Sequence, residues 1–192
     1  MGRHPTVCSL VLPIADGELR STAAWQALER ELRTAPFARK IGWDLVKQRS
    51  GKLHATVCGS LSIGTPDVAA LGRQLAALQS LRSFAVELRG LFSGNINVGR
   101  LYLRVYPECR DGENMLRAVQ RLCGCRETDM YLVGVWNLVD DLDGSEREAL
   151  HLLIERWWDR TVLRFQVRRL WLLAARDDLV LDSEVLRTFE LD

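Results

Sequence analysis

Residues 52–63 read KLHATVCGSLSI, a stretch in which apolar and polar side chains alternate. The apolar residues at odd-numbered positions, from Leu53 to Ile63, fall on one face of an extended chain. His54, Thr56 and the cysteine and serines that follow them fall on the other, because successive side chains of a strand point to opposite faces. The alternation predicts a strand over 53–63 with one face in a core and the other lining a cleft or solvent.

Hydrophobic periodicity and turn signals predict further elements on both sides of this strand. Strands are predicted at 7–14, 43–48, 84–91, 101–106 and 130–139, from 163 towards 175, and at 179–191 as a strand or an edge segment. Helices are predicted at 19–34, after Thr65 and Pro66, around 116–122, and at 145–158 with a capping box of Ser145 and Glu148. A loop or hairpin is predicted at 93–97. Because paired strands recur without a helix between them, the order favours an α+β fold with antiparallel or mixed sheets.

The composition is that of an ordinary globular domain. The 192 residues are 47% hydrophobic and 27% charged with a net charge of +1, so we expect one domain over 1–192 and no overall attraction to nucleic acid or membranes. We expect no signal peptide and no spanning helix. The five cysteines are odd in number and irregularly spaced, which indicates reduced thiols, no metal site and a cytoplasmic protein.

His54 and Thr56 carry the sharpest chemical signal. An imidazole can transfer a proton near neutral pH, and a hydroxyl beside it on the same strand face can donate a hydrogen bond to a phosphate oxygen. The pair also occurs by chance in many proteins, so a surface strand of an unrelated α+β domain remains an alternative.

The stretch Leu53-His54-Ala55-Thr56-Val57 resembles the His-x-Thr motif of the two-histidine (2H) phosphoesterases, which include 2′-5′ RNA ligase-like proteins and cyclic phosphodiesterases. The order of elements resembles that family over nearly the whole chain. The resemblance implies a bilobed fold with a central cleft, His54 as general acid or base, and Thr56 holding a phosphate. It implies a nucleotide or RNA phosphate end as partner, carrying a 2′,3′-cyclic phosphate or a 2′-5′ linkage, and no metal or organic cofactor.

The second motif of that family is missing. The matching strand reads YLVGVWNL over 131–138, with Gly134 at the position of the second His and Trp136 at that of the second Thr. In the family, one His acts as base and the other as acid. The sequence therefore leaves two hypotheses: a divergent phosphoesterase with one His, or an inactive member that binds nucleotide or RNA or serves as a scaffold.

Aromatic residues offer candidates for the missing functions. Trp136 is either a stacking plane for a base in the cleft or one more large core side chain. Tyr131 is a candidate for substrate binding or for the replacement acid, and Tyr102 is a second candidate for that acid.

Arginines on predicted strands offer phosphate contacts. Arg164 and Arg168 share one polar face, with Arg168 the predicted substrate contact, and such a stripe either binds phosphate or is a solvated sheet edge. The same two interpretations apply to Arg100 and Arg104.

Overall fold

The computed structural model describes residues 2–94 and 97–192, and within them the chain forms ten strands, six α-helices and two short 3₁₀ helices, Ala38–Lys40 and Ala76–Ser80. The strands are β1 (Arg3–Pro13), β2 (His54–Ile63), β3 (Phe84–Ser93), β4 (Arg100–Pro107), β5 (Cys109–Arg110), β6 (Glu113–Asn114), β7 (Tyr131–Asn137), β8 (Thr161–Val167), β9 (Arg169–Asp177) and β10 (Ser183–Glu190). The helices are α1 (Asp16–Ser21), α2 (Ala23–Thr34), α3 (Trp43–Gln48), α4 (Val68–Gln74), α5 (Met115–Leu122) and α6 (Gly144–Trp157). Part of the loop predicted at 93–97 lies outside the described residues.

Eight strands form one antiparallel sheet in the order β10-β9-β1-β2-β7-β4-β3-β8. The first four make one lobe and the last four make the other. The lobes meet where β2 pairs with β7, with Ala55 opposite Val133. This arrangement confirms the predicted bilobed α+β fold, with the two halves joined edge to edge across the β2–β7 pair.

The predicted motif strand is confirmed as β2, but its alternation is interrupted. Leu10 pairs with Cys58 and Val11 with Thr56, so Val57 is an extra residue in the ladder. A bulge of this kind changes which face the following side chains point to. As a result Cys58 is buried although the alternation had placed it with His54, and Ile63 is 67% exposed although it was predicted in the core.

Local helix predictions needed several corrections. Residues 43–48, predicted as a strand, form α3, with Asp44 in its first turn and Lys47 in its last turn, which suits the helix dipole. The predicted helix 19–34 is two helices, because Thr22 ends α1 and its hydroxyl caps α2 by accepting from the Trp25 amide at 3.1 Å.

Two helix starts are also displaced from their predicted positions. Asp67, not Thr65, caps α4. The capping box of α6 is Asp143 with Glu146, not Ser145 with Glu148. In both cases a carboxylate stands at the cap where a hydroxyl had been expected, since both side chains can accept from a helix amide.

The strand predicted from 163 towards 175 is in fact two strands in different lobes. β8 pairs with β3 at one end of the sheet, whereas β9 pairs with β1 and β10 at the other. Arg168 alone separates them. The apolar alternation continues on both sides of Arg168, so only the pairing partners reveal that the chain crosses between lobes there. The described residues contain no helix long and apolar enough to cross a membrane.

Candidate anion-binding site around His54

His54 opens β2 and is held by the backbone just before it. Its Nδ1 lies 2.7 Å from the carbonyl oxygen of Lys52, and because a carbonyl only accepts, Nδ1 carries the proton in this contact. Burial, then the charges of Arg49 and Arg100, outweigh that hydrogen bond and lower the pKa of His54 below 6.5. At neutral pH the imidazole is therefore neutral, with Nε2 free to accept a proton.

The two predicted motif residues line one pocket. His54 and Thr56 share a pocket of about 180 Å³ with Ser9 of β1 and Asp177 of β9. His4 of β1 lines the same pocket. Apolar side chains, among them Val11 and Leu173, make up much of the remaining wall, so an acceptor, hydroxyls and a second imidazole face a small space of mixed polarity.

The second lobe meets this pocket without a histidine. The pairing of Ala55 with Val133 continues to place Gly134 opposite His54. A Cβ atom at Gly134 would lie 2.7 Å from Cδ of Arg100 and 3.4 Å from Cε1 of Tyr102. The side chain of Arg100 therefore occupies the space above Gly134 in which a second histidine would begin.

Arg100 crosses from the second lobe to the first. Its Nη2 donates to the carbonyl oxygen of Asp178, in the turn between β9 and β10, at 2.9 Å. Its Nε is buried and has no hydrogen-bond partner among residues 2–94 and 97–192. The same turn is held by the Nζ of Lys52, which donates to the carbonyl oxygen of Leu181. The guanidinium is fixed beside His54 and retains an unused donor.

Arg49 is the most unusual residue of the site. It follows α3 and is only 3% exposed. Within the described part of the chain its guanidinium makes one hydrogen bond, from Nη1 to the Val135 carbonyl oxygen at 3.5 Å, and its Nε has no partner. Burial first, then the charge of Arg100, lowers the pKa of Arg49 to about 10. Among the described residues neither arginine forms an ion pair with a carboxylate. A buried guanidinium in this condition is unfavourable unless an anion binds to it.

Asp177 offsets this positive charge only in part. Burial raises its pKa, but hydrogen bonds from the backbone amides of Asp182, Leu181 and Leu179 outweigh that effect and lower it. The carboxylate stays ionised and faces the backbone amides of the turn that follows it. We define the His54 site as His54, Thr56, Arg49, Arg100, Tyr102 and Asp177, with two guanidinium groups against one carboxylate.

Trp136 does not line this site. Leu101 pairs with Trp136 and Tyr102 with Gly134, so Val135 is an extra residue that turns Trp136 to the core face. Its ring is completely buried and stacks on Trp25 of α2, with centroids 5.1 Å apart and planes 15° from parallel. The structure therefore places Trp136 in the core, with its ring buried against Trp25 and away from the His54 site.

Tyr131 and Arg168 lie elsewhere as well. Tyr131 shares the core face of β7 with Val133, and its hydroxyl donates to the Thr128 carbonyl oxygen at 2.6 Å. Burial is the main cause that raises the pKa of Tyr131 to about 12, and the residue does not line the pocket of His54. Arg168 is exposed at the β8–β9 crossover and lines a separate pocket of about 500 Å³ with Trp171.

The other arginine candidates are engaged in structural contacts. Arg164 pairs with Glu87 at 2.8 Å, and the guanidinium of Arg104 lies 3.9 Å from the ring centroid of Trp158. Arg100 is the only one of the predicted arginines that reaches the His54 site in the described structure. Arg49 was missed, because the segment before it was interpreted as a strand and no residue spacing marks a buried arginine.

No family model and no curated protein matches this sequence. Solved structures do match. A conserved protein of unknown function from Agrobacterium tumefaciens has a TM-score of 0.60 at 15% identity, covering 97% of this chain and 87% of that one. LigT of E. coli complexed with phosphate has a TM-score of 0.55 at 10% identity, covering 98% of each chain. Usb1 of Kluyveromyces marxianus has a TM-score of 0.51 at 11% identity, covering 99% of each.

The neighbours LigT and Usb1 are 2H-type proteins, so the chain has the 2H phosphoesterase fold that its motif strand predicted. E. coli LigT has also been solved in complex with ATP and with 3′-AMP.

Proposed function

We propose that this protein binds a phosphate-bearing ligand, a nucleotide or an RNA phosphate end, at the His54 site and turns it over slowly or not at all. The observation that carries the proposal is Arg49, a buried guanidinium with no ion pair among the described residues. A phosphate between Arg49 and Arg100 would supply the acceptors that their unpartnered Nε atoms lack, and arginine is well suited to phosphate oxygens. The complexes of LigT with phosphate and nucleotides support the choice of ligand class.

The argument for slow turnover concerns the missing acid. A neutral His54 can accept a proton at Nε2 from a nucleophile, and Thr56 can donate to a phosphate oxygen. The second lobe supplies no histidine to protonate the departing oxygen, since Gly134 stands at that position and Arg100, beside it, holds its proton too tightly to act as an acid. A positioned acid contributes about 10² to 10⁴ in rate, so its loss leaves binding as the better-supported function.

A one-histidine cyclic phosphodiesterase is the second candidate. The specific observation in its favour is the tautomer of His54, which leaves Nε2 unprotonated at neutral pH. In this mechanism His54 would take a proton from water attacking a 2′,3′-cyclic phosphate, and Arg100 would stabilise the charge that develops on the phosphate.

The test of binding is a thermal titration with inorganic phosphate, adenosine 3′-monophosphate and adenosine 2′,3′-cyclic phosphate. Ligand at a hundred times its Kd stabilises a protein by about 2.7 kcal/mol. For a chain of this length that raises Tm by roughly 5–10 °C. R100M should abolish the rise, whereas R30M, on the exposed face of α2, should leave it unchanged. No rise with any of the three ligands would refute the proposal.

The test of turnover uses the cyclic phosphate with wild type and H54A. Ring opening that H54A abolishes would establish the enzyme, and ring opening equal in both proteins would exclude His54 as the base. Binding without ring opening would establish the binding module.

A further inference from the structure

Three of the five cysteines gather at one point that the His54 site does not use. Cys58 lies on β2, two residues after Thr56, and is 2% exposed. Cys123 ends α5 and Cys125 follows it by two residues. Cys58 and Cys125 line one pocket, and the side chains of Cys123 and Cys125 are close enough to the Cys58 thiol to perturb it. The alternation of 53–63 gives no hint of this group, because the bulge at Val57 is what turns Cys58 inward.

Hydrogen bonds from two glutamines hold the thiols in place. Gln120 of α5 donates through Nε2 to the Val57 carbonyl oxygen at 2.8 Å, which ties the helix end to β2. Gln74 donates to the Cys123 carbonyl oxygen at 3.1 Å. The backbone amide of Cys125 donates to the Gln120 carbonyl oxygen at 2.8 Å. These hydrogen bonds tie the end of α5 and the segment after it to neighbouring elements, which limits how far the three cysteines can separate.

A small oxidant can reach two of the three sulfur-bearing residues. Cys58 and Cys125 both line a pocket of about 330 Å³ that also reaches Thr56 and Arg126. Cys125 is half-buried, whereas Cys123 is buried and does not line the pocket. The remaining cysteines provide internal comparisons, since Cys8 is buried and Cys109 is exposed on β5.

We propose that Cys58 and Cys125 form a reversible disulfide when a peroxide enters this pocket. The Cys125 thiolate attacks one peroxide oxygen, the O–O bond breaks, and the sulfur becomes a sulfenic acid while the second oxygen leaves as water. Cys58 then attacks the Cys125 sulfur, the S–O bond breaks, and the hydroxyl leaves with the Cys58 proton as a second water. The two thiols are oxidised by two electrons and one peroxide is reduced to two waters.

Cys123 is the third thiol of the group and neighbours Cys58. A thiol beside the new disulfide can exchange with it, which keeps the disulfide reducible by a dithiol. Burial raises the pKa of Cys125, so oxidation by peroxide should become faster as the pH rises. The proposal does not depend on phosphate binding.

The test oxidises the C109S protein with hydrogen peroxide, alkylates the remaining thiols, and maps trypsin fragments by mass spectrometry. Removing Cys109 excludes disulfides between molecules. We expect two of the four remaining thiols to escape alkylation and the peptide carrying Cys58 to be linked to residues 122–126. Reduction by dithiothreitol should restore all four.

The trypsin fragment 122–126 contains both Cys123 and Cys125. Cysteine-to-serine variants are therefore needed to show which of the two is linked to Cys58. C123S should keep the link and C125S should abolish it. The opposite pattern, or four alkylated thiols after a peroxide dose that oxidises Cys109 in the unsubstituted protein, would overturn the proposal. Because C125S changes a half-buried residue, a thermal melt of the reduced variant serves as the control that it still folds.

Discussion

Replacing Arg49 by methionine should make the protein more stable and unable to respond to phosphate. The pKa of Arg49 falls from 12.5 to about 10 on folding, and the guanidinium is charged in both states at neutral pH. That difference corresponds to about 3 kcal/mol of unfavourable free energy at any pH well below 10. Methionine fills a similar volume without charge and loses one long hydrogen bond to Val135, a loss of about 1 kcal/mol. The expected net gain is about 2 kcal/mol, or roughly 4–8 °C in Tm.

Urea denaturation at neutral pH, without and with phosphate, measures both consequences. R49M should unfold at higher urea than wild type when phosphate is absent and should show no further gain when it is added. R30M, at an exposed position on α2, should stay within about 0.5 kcal/mol of wild type under both conditions. The reasoning fails if R49M is less stable than wild type by more than about 1 kcal/mol, since Arg49 would then be a structural residue. It also fails if R49M still gains stability from phosphate.

Four other substitutions test separate parts of the structure. Because folding lowers the pKa of His54 below 6.5, the free energy of unfolding of wild type should fall as the pH drops below 6.5. Urea denaturation at several pH values should show that H54Q lacks the part of this pH dependence that His54 causes. W136A should cost about 3–5 kcal/mol in the same denaturation assay, since it empties a fully buried site; a cost near zero would contradict the core position. D143A should lower the free energy of unfolding by about 1 kcal/mol through loss of the α6 cap, with a matching fall in Tm. G134A should displace Arg100 and weaken the thermal response to phosphate; an unchanged phosphate affinity by calorimetry would show that Arg100 is not fixed there.

The sequence by itself determined the framework of this protein. Alternation over 53–63 identified the motif strand and placed His54 and Thr56 on one face, and the structure has them in one pocket. The order of strands and helices indicated the bilobed α+β fold. The spacing of apolar residues distinguishes helices from strands, and consecutive strands with no helix between them favour antiparallel sheets. The lack of a second histidine, with Gly134 at its expected position, was also evident from the sequence.

Only the tertiary structure decided what surrounds His54. One extra residue, Val135, turned Trp136 from the predicted cleft to the core, and one extra residue at Val57 turned Cys58 inward. Neither bulge is marked in this sequence, since the alternation of 53–63 and the apolar run of 130–139 both continue through them. Arg49 and Arg100 come together from α3 and β4, far apart in the chain, and the burial of a charged side chain depends on neighbours that local sequence does not contain. The local spacing of apolar residues was therefore enough to predict most strands, whereas the anion site depends on long-range contacts that form only in the folded chain.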